Sequence, residues 1–355
     1  MKPTIHLRFK MDGQEIILSD ASVEPLSLDD LISFESYSSF KLSVRGGTVC
    51  DPVAITPRKV NMQATMDATY TNQCFALVES GWLPPVFALP NALILADRNI
   101  VTDISKRFNQ GKLVERKEQR TDYFDLTASY DYQAKINLAP FALEGNLRRR
   151  PTRQEVISQL REAYRKVSQA LPSIAIVPVN DHLVDGVMGI LEDSHSFFHK
   201  RLEFLKSSIH LLGNTAGKMR RRKVWSEIIS HADAANLPRT DFCVIAAISA
   251  VTASNICNPA RGILKPKPNY DYESAYNALC DIQLLSLLIH ALHDFPQEKT
   301  VLLTKDISLA KFWVGIAPLS TSKKTPLVNC SFQIHNKLLP LDQYWVSELY
   351  AIMDG

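Results

Sequence analysis

The alternation Ile5-His6-Leu7-Arg8-Phe9-Lys10, interrupted at Met11-Asp12-Gly13 and resumed in Glu15-Ile16-Ile17-Leu18, predicts a β-hairpin, because period-two patterning buries one face of each strand. Short β-prone runs recur at Lys41-Leu42-Ser43-Val44 and Cys74-Phe75-Ala76-Leu77-Val78, separated by Gly and Pro. Residues 1–85 therefore read as a small β-rich accessory domain. Pro84-Pro85 and Pro90 then break the chain and set a boundary near residue 86. The next run, Ala92-Leu93-Ile94-Leu95-Ala96, is apolar throughout, as in a strand covered on both faces. A short helix to about Phe108 follows, then a charge-rich stretch to Lys135 without a clear period.

Helical periodicity dominates beyond it. Pro151-Thr152-Arg153-Gln154-Glu155 reads as a capping box, and Val156, Ile157, Leu160, Ala163, Tyr164, Val167 and Leu171 recur on one face. Residues 181–212 and 219–236 read as two more helices, and another begins near Asp241. A Pro-rich loop at 257–268 precedes a long helix from Tyr272 to Asp294. The run Val301-Leu302-Leu303-Thr304 predicts a second buried strand, followed by a helix from Ile307 to Val314. There is no internal repeat.

Composition narrows the class. With 355 residues, 46% of them hydrophobic, the chain can bury at least one large core, so disorder is excluded as its general state. A formal charge of +3 is too small to mark a nucleic-acid binder by itself. The six cysteines form no CxxC pair, which speaks for reduced thiols and against a zinc ribbon or disulfide frame. The N-terminus lacks an apolar signal core, and no run approaches the eighteen or so apolar residues of a membrane span. The expectation is a soluble, cytoplasmic protein without a membrane partner; homo-oligomerisation is left open.

Candidate chemistry lies in acids. Asp97 directly follows the first buried strand and Asp306 the second, at the strand ends where open α/β sheets place their sites. Asp281 sits in a stretch that is apolar on almost every side, where an unpaired charge is costly. Each also has an ordinary use. Asp97 and Asp306 precede helices and could be N-caps, and Asp281 could pair with a buried base.

The order of these features resembles the PIN-domain family of metal-dependent nucleases. Asp97-Arg98-Asn99 matches the family's first strand-end acid with its Asn two residues on. Leu143-Glu144-Gly145-Asn146 is the best match to a Glu near a helix start, Asp281 to the helical Asp, and Thr304-Lys305-Asp306 to the terminal Thr-x-Asp. The resemblance spans roughly 92–314. It implies a three-layer α/β PIN-like domain at 86–320, with a parallel central sheet and a helical insertion at about 152–236, then a C-terminal extension at 321–355. It further implies Asp97, Glu144, Asp281 and Asp306 as ligands of Mg²⁺ or Mn²⁺, Asn99 as an orienting residue, and cleavage of RNA. A DNA or flap-type nuclease and an inactive nucleic-acid-binding scaffold are the alternatives. Glu227 competes with Glu144, and Asp241 with Asp281. An Asp/Glu set without His or Cys suits hard, oxygen-loving cations, and such ions activate water for phosphodiester hydrolysis.

Two basic runs could track a phosphate backbone: Arg148, Arg149 and Arg150 with nearby Arg153, and Lys218, Arg220, Arg221, Arg222 and Lys223. Lys265, Lys267 and Tyr270 could add cation and stacking contacts. Glu192, His195 and His199 share a helical face and could ligate a transition metal. A strand-end Asp also opens phosphate-transferring haloacid-dehalogenase-type enzymes, but these need a second Asp where Asn99 stands. No Walker loop or GxGxxG follows a strand.

Overall fold

In a computed structural model of the chain, the residues described are 6–11, 14–19, 21–36, 39–49, 59–67, 74–115, 122–127, 133–145, 147–254, 258–319 and 331–354. They form an α/β protein with a mixed, mostly parallel sheet. The chain opens with β1 (His6–Met11), β2 (Gln14–Ser19), β3 (Ser22–Val23), α1 (Leu28–Ser36), β4 (Ser39–Val49) and β5 (Lys59–Asp67). The five strands make one antiparallel sheet. The expected hairpin is present, in register from His6↔Ser19 to Met11↔Gln14, with its Asp12-Gly13 turn outside the described residues.

The central part runs β6 (Phe75–Val78), β7 (Gly81–Leu83), α2 (Pro85–Ala88), β8 (Ala92–Ala96), α3 (Arg98–Arg107), β9 (Phe108–Asn109), β10 (Lys112–Leu113), α4 (Tyr123–Thr127), β11 (Lys135–Asn137), α5 (Ala139–Glu144), α6 (Arg153–Ala170) and β12 (Ala175–Ile176). It continues through α7 (Asp181–Asp193), α8 (His195–Leu212), α9 (Lys218–Ala234), α10 (Phe242–Thr252), α11 (Pro259–Leu264), α12 (Tyr272–Asp294), β13 (Lys299–Thr304) and α13 (Ile307–Ile316). The remainder is β14 (Pro318–Leu319), β15 (Ser331–Phe332) and α14 (Gln343–Asp354).

The main sheet is six-stranded, in the order β12-β11-β8-β13-β6-β7. The first four strands are mutually parallel, whereas β6 and β7 are antiparallel additions at one edge. The boundary expected near residue 86 therefore cuts through a sheet. Phe75, Ala76 and Leu77 pair with Thr304, Leu303 and Leu302, and all four β6 residues are buried. Tryptophans explain why Pro84-Pro85 does not separate domains. Trp82 is fully buried edge-on to Phe75, and the Trp313 indole donates to the Val78 and Gly81 carbonyls (2.9 and 3.2 Å), pinning α13 over the β6–β7 turn. Gly81 allows Leu26 to pair with Trp82, since a Cβ there would lie 2.7 Å from the Leu26 carbonyl. Leu28, Leu31, Phe34 and Leu42 join the same core as the central sheet; Leu18, Ala21 and Val44 form a small separate cluster.

Thr152 and Glu155 close the expected capping box at the start of α6, each side chain bonding the other's backbone N–H. The segment 181–212 is two helices rather than one, divided at Ser194, whose hydroxyl accepts from Gln283 on α12 (3.1 Å). By length and composition α12 alone among the described helices could cross a membrane, contrary to the expectation from the sequence. Some 67% of its apolar window is buried inside the protein, against α8, α5 and β13, so it is accounted for as a core helix.

Candidate active site

β8 and β13 are parallel neighbours in register at Leu95↔Leu302 and Ala96↔Leu303, so the residues that follow them emerge side by side. The Asp97 N–H extends the ladder to the Leu303 carbonyl at 3.2 Å. Beyond it one buried hydroxyl joins the two strand ends. Thr304 Oγ1 donates to Asp97 Oδ2 (2.9 Å) and accepts from the Asp306 N–H (3.1 Å).

The two strand-end acids then differ in use. Asp306 Oδ1 accepts from the N–H groups of Ser308 (2.8 Å) and Leu309 (3.0 Å), so this carboxylate caps α13 as such an Asp can. Asp97 occupies the same position before α3, yet its side chain makes no cap bond and is 5% exposed. Burial raises its pKa, and the charge of Asp306 adds to the rise. The Thr304 hydroxyl pulls the other way. Asn99 itself is exposed in the first turn of α3.

Glu144 is the last residue of α5, not a residue at a helix start as the resemblance implies. It is held there from two sides. Arg98 Nη1 donates to the Gly145 carbonyl (3.1 Å) while its guanidinium lies 4.4 Å above the Phe141 ring. From α12 the Tyr276 hydroxyl donates to the Arg149 carbonyl (2.8 Å), with the Glu144 carbonyl at 3.1 Å. Gly145 turns the chain at φ +72°, ψ 165°, a conformation essentially reserved for glycine. Burial pushes the Glu144 carboxyl up to about 6; the Asp97 charge adds, and Arg98 and Lys265 oppose.

Asp281 projects from α12 with 25% of its side chain exposed, and Lys265 Nζ lies 3.5 Å from Oδ2. Its partner is thus an exposed lysine on the loop after α11, not a buried base. Lys265 caps α11 in the left-handed conformation (φ +48°). Gly262 lets that helix lie against α13, since a Cβ there would stand 2.0 Å from Ser308 Oγ. Burial drives the Asp281 carboxyl up to about 8 against the pull of Lys265, and the charges of Asp306, Asp97 and Glu144 raise it further.

The four acids named from the sequence therefore act on one another electrostatically. Their rivals are committed elsewhere. Asp241 caps α10 through the Cys243 N–H (2.9 Å) and forms a buried bidentate pair with Arg201 (2.9–3.1 Å). Glu227 lies 3.6 Å from His210. No three of the four carboxylates come within 4.8 Å of one another, a separation met among the described residues by His210, Glu227 and His231 instead. An all-oxygen set at wider spacing suits a hard cation that keeps part of its water shell and poorly suits a dehydrated transition metal.

Several of the expected basic contacts are paired with acids or buried. Arg148 pairs with Glu273, Arg149 with Glu155, Arg150 with Glu192 and Arg153 with Asp185, so the first run is largely self-neutralised. Arg221 is no surface cation. It is 9% exposed, between Trp225 and Trp345, because α14 packs on α9. Arg222 pairs with Glu348 (3.2 Å), and Lys267 lies 4.0 Å from Asp271, while Lys218, Arg220 and Lys223 are exposed on α9. Tyr270 does not stack outward; its hydroxyl donates to the Leu264 carbonyl (3.0 Å). Glu192 is engaged by Arg150, and the His195 and His199 rings pack edge to face at 4.6 Å, so that trio gathers no metal site. Arg98, Tyr276 and Gly145, which position Glu144, were not singled out in the sequence. Glycine after an acid at a helix end is the one local signal they offer.

No protein-family model, curated protein or solved structure matches this chain.

Proposed function

We propose that the protein is a divalent-metal-dependent phosphodiesterase of PIN-like architecture that cleaves RNA, with Asp97, Glu144, Asp281 and Asp306 holding Mg²⁺ or Mn²⁺. The observation that carries this reading is that Asp97 and Asp306 emerge side by side from two adjacent parallel strands and that their charges bear on the carboxyls of Glu144 and Asp281, which come from two other segments, with Lys265 and Arg98 among the opposing charges. Four carboxylates repel one another and are partly desolvated, a cost that a cation offsets. When bound, such an ion makes a water more acidic and stabilises the leaving oxygen of a phosphodiester.

The chain's own residues prepare that chemistry. Thr304 fixes one oxygen of Asp97 and, through the Asp306 amide, the start of α13. The Arg98 and Tyr276 side chains, bonded to the Gly145 and Glu144 carbonyls, fix the end of α5 that carries Glu144. Lys265, more than half exposed at the rim, is placed to meet a substrate phosphate. Asn99, exposed in the next turn, orients water or ribose. Lys218, Arg220 and Lys223 supply the remaining cationic surface for an RNA backbone, and the choice of RNA over DNA rests on the resemblance alone.

The test is incubation of the full chain with labelled single-stranded RNA and DNA in Mg²⁺, Mn²⁺ or EDTA. Cleavage of RNA with either ion and none in EDTA is expected. Cleavage that persists in EDTA, or none with either ion, contradicts the proposal.

A further inference from the structure

His210 on α8 and Glu227 and His231 on α9 form a cluster apart from the carboxylates, and it has a different donor set. One ligand atom from each lies within 4.8 Å of the other two. Glu227 and His231 are four residues apart on one helix, so both project from the same face. The His210 Nε2 is 3.6 Å from a Glu227 oxygen, and the two imidazoles stand edge to face with centroids 5.9 Å apart. His231 Nε2 is buried and has no hydrogen-bond partner, although buried ring nitrogens are normally satisfied. Hydrogen bonding within the protein thus leaves unexplained a buried nitrogen on a ring that meets a second imidazole edge to face and has a carboxylate close by.

We infer that His210, Glu227 and His231 bind a borderline divalent cation, Zn²⁺ in the first place, which cross-links α8 to α9. Two imidazoles and one carboxylate match the nitrogen and oxygen ligands that Zn²⁺ takes at about 2.0–2.2 Å, and they are a poor set for Mg²⁺. Three protein ligands leave a tetrahedral ion one further position. The His210 side chain is 58% exposed and that of Glu227 42%, so this position faces solvent and is open to water or a small anion. The half-exposed setting also lets the ion enter without unfolding either helix. The site is independent of the nuclease reading, because it shares no residue with the four acids and prefers a different class of ion.

Co²⁺, which takes zinc-like geometry and absorbs in the visible, is the probe. Titration into the full chain is expected to produce a visible band that Zn²⁺ abolishes and excess Mg²⁺ does not. His210→Gln and Glu227→Gln change side chains that are 58% and 42% exposed, so both variants should fold, and each should weaken Co²⁺ binding at least tenfold. Zn²⁺ at a hundredfold excess over its Kd should raise the wild-type Tm by about 3–4 °C and that of either variant by far less. Asp306→Asn should leave all these responses unchanged. Absence of the band in the wild type, affinity within threefold of wild type in both variants, or an intense near-ultraviolet thiolate band placing the ion on cysteine would overturn the inference.

Discussion

The arginine segment 148–153 and the carboxylates beyond β8 and β13 are both dense in charge, and the protein treats them in opposite ways. Each guanidinium of Arg148, Arg149, Arg150 and Arg153 faces an acid, in pairs mostly open to water. Such pairs contribute little to stability and leave little free charge for a partner. At the sheet end, Asp97, Glu144, Asp281 and Asp306 bear on one another, Lys265 and Arg98 oppose them, and three of the four carboxyls are held above their ordinary range. A dense charge run in a sequence is thus no measure of free surface charge, which depends on the partners that the fold brings to it. Perturbed carboxyls of that kind are where function is to be sought.

The largest effects are expected where charges are removed from the carboxylate group, with an acid outside it as the control. Asp97→Asn and Asp306→Asn should each lower metal-dependent RNA cleavage at least a hundredfold in a single-turnover assay while the protein stays folded. Asp241→Asn should leave cleavage intact but destabilise the fold by roughly 3 kcal/mol, since it strands Arg201 in a buried pair. Retention of more than about a tenth of the rate in both strand-end variants, a barrier change under roughly 1.4 kcal/mol, would show that the ligands are misassigned.

Thr304→Val should have the next largest effect. It removes the hydroxyl between Asp97 and Asp306 at nearly constant volume and leaves a buried carboxylate short of a donor, which costs about 1–3 kcal/mol of stability. Cleavage should fall about tenfold, and Thr304→Ser should restore most of it. A Val variant as fast as wild type contradicts the positioning role.

The raised carboxyls also predict a pH dependence. Asp281 keeps its proton up to about 8 when folded but releases it near 3.8 when unfolded, so the folded state binds the extra proton between those values. Its contribution to stability is complete below about pH 4 and is lost as pH rises through 8. In metal-free urea unfolding, Asp281→Asn should flatten this decline; an unchanged slope between pH 5 and 8 assigns it to other groups.

The smallest effects belong to the basic surface. Alanine at Arg148, Arg149 and Arg150 should leave Tm within about 2 °C and the salt dependence of RNA binding unaltered. Alanine at Lys218, Arg220 and Lys223 should flatten the salt slope by about one unit for each phosphate that is no longer neutralised. The reverse result would move the RNA path to the first arginines.

The two acid-bearing strands and the full extent of α12 were legible because continuous apolar runs and long helical periodicity survive any tertiary context. The three-residue β11 and two-residue β12 were not, since strands so short carry no period and exist through pairing alone. The boundary expected near residue 86 cuts the main sheet for a related reason. Pro84-Pro85 signals a break in local conformation, whereas membership of β6 in the main sheet is decided by pairing with β13, more than two hundred residues away. Within the site, residue types and chain order pointed to the acids, but the partners of the arginines and the burial of Arg221 depend on helices from distant parts of the chain.

The central claim, that these acids are gathered for one cation site, is tested most directly by the melting temperature with and without Mg²⁺ or Mn²⁺ in the wild type and in Asp281→Asn. A ligand that binds only the native state stabilises it by mass action. The wild-type Tm should therefore rise with either ion. The Asn variant should melt at or above the metal-free wild type and respond to the ions only weakly. A variant that melts well below the metal-free wild type yet keeps the full metal response would make Asp281 a structural acid and contradict the account.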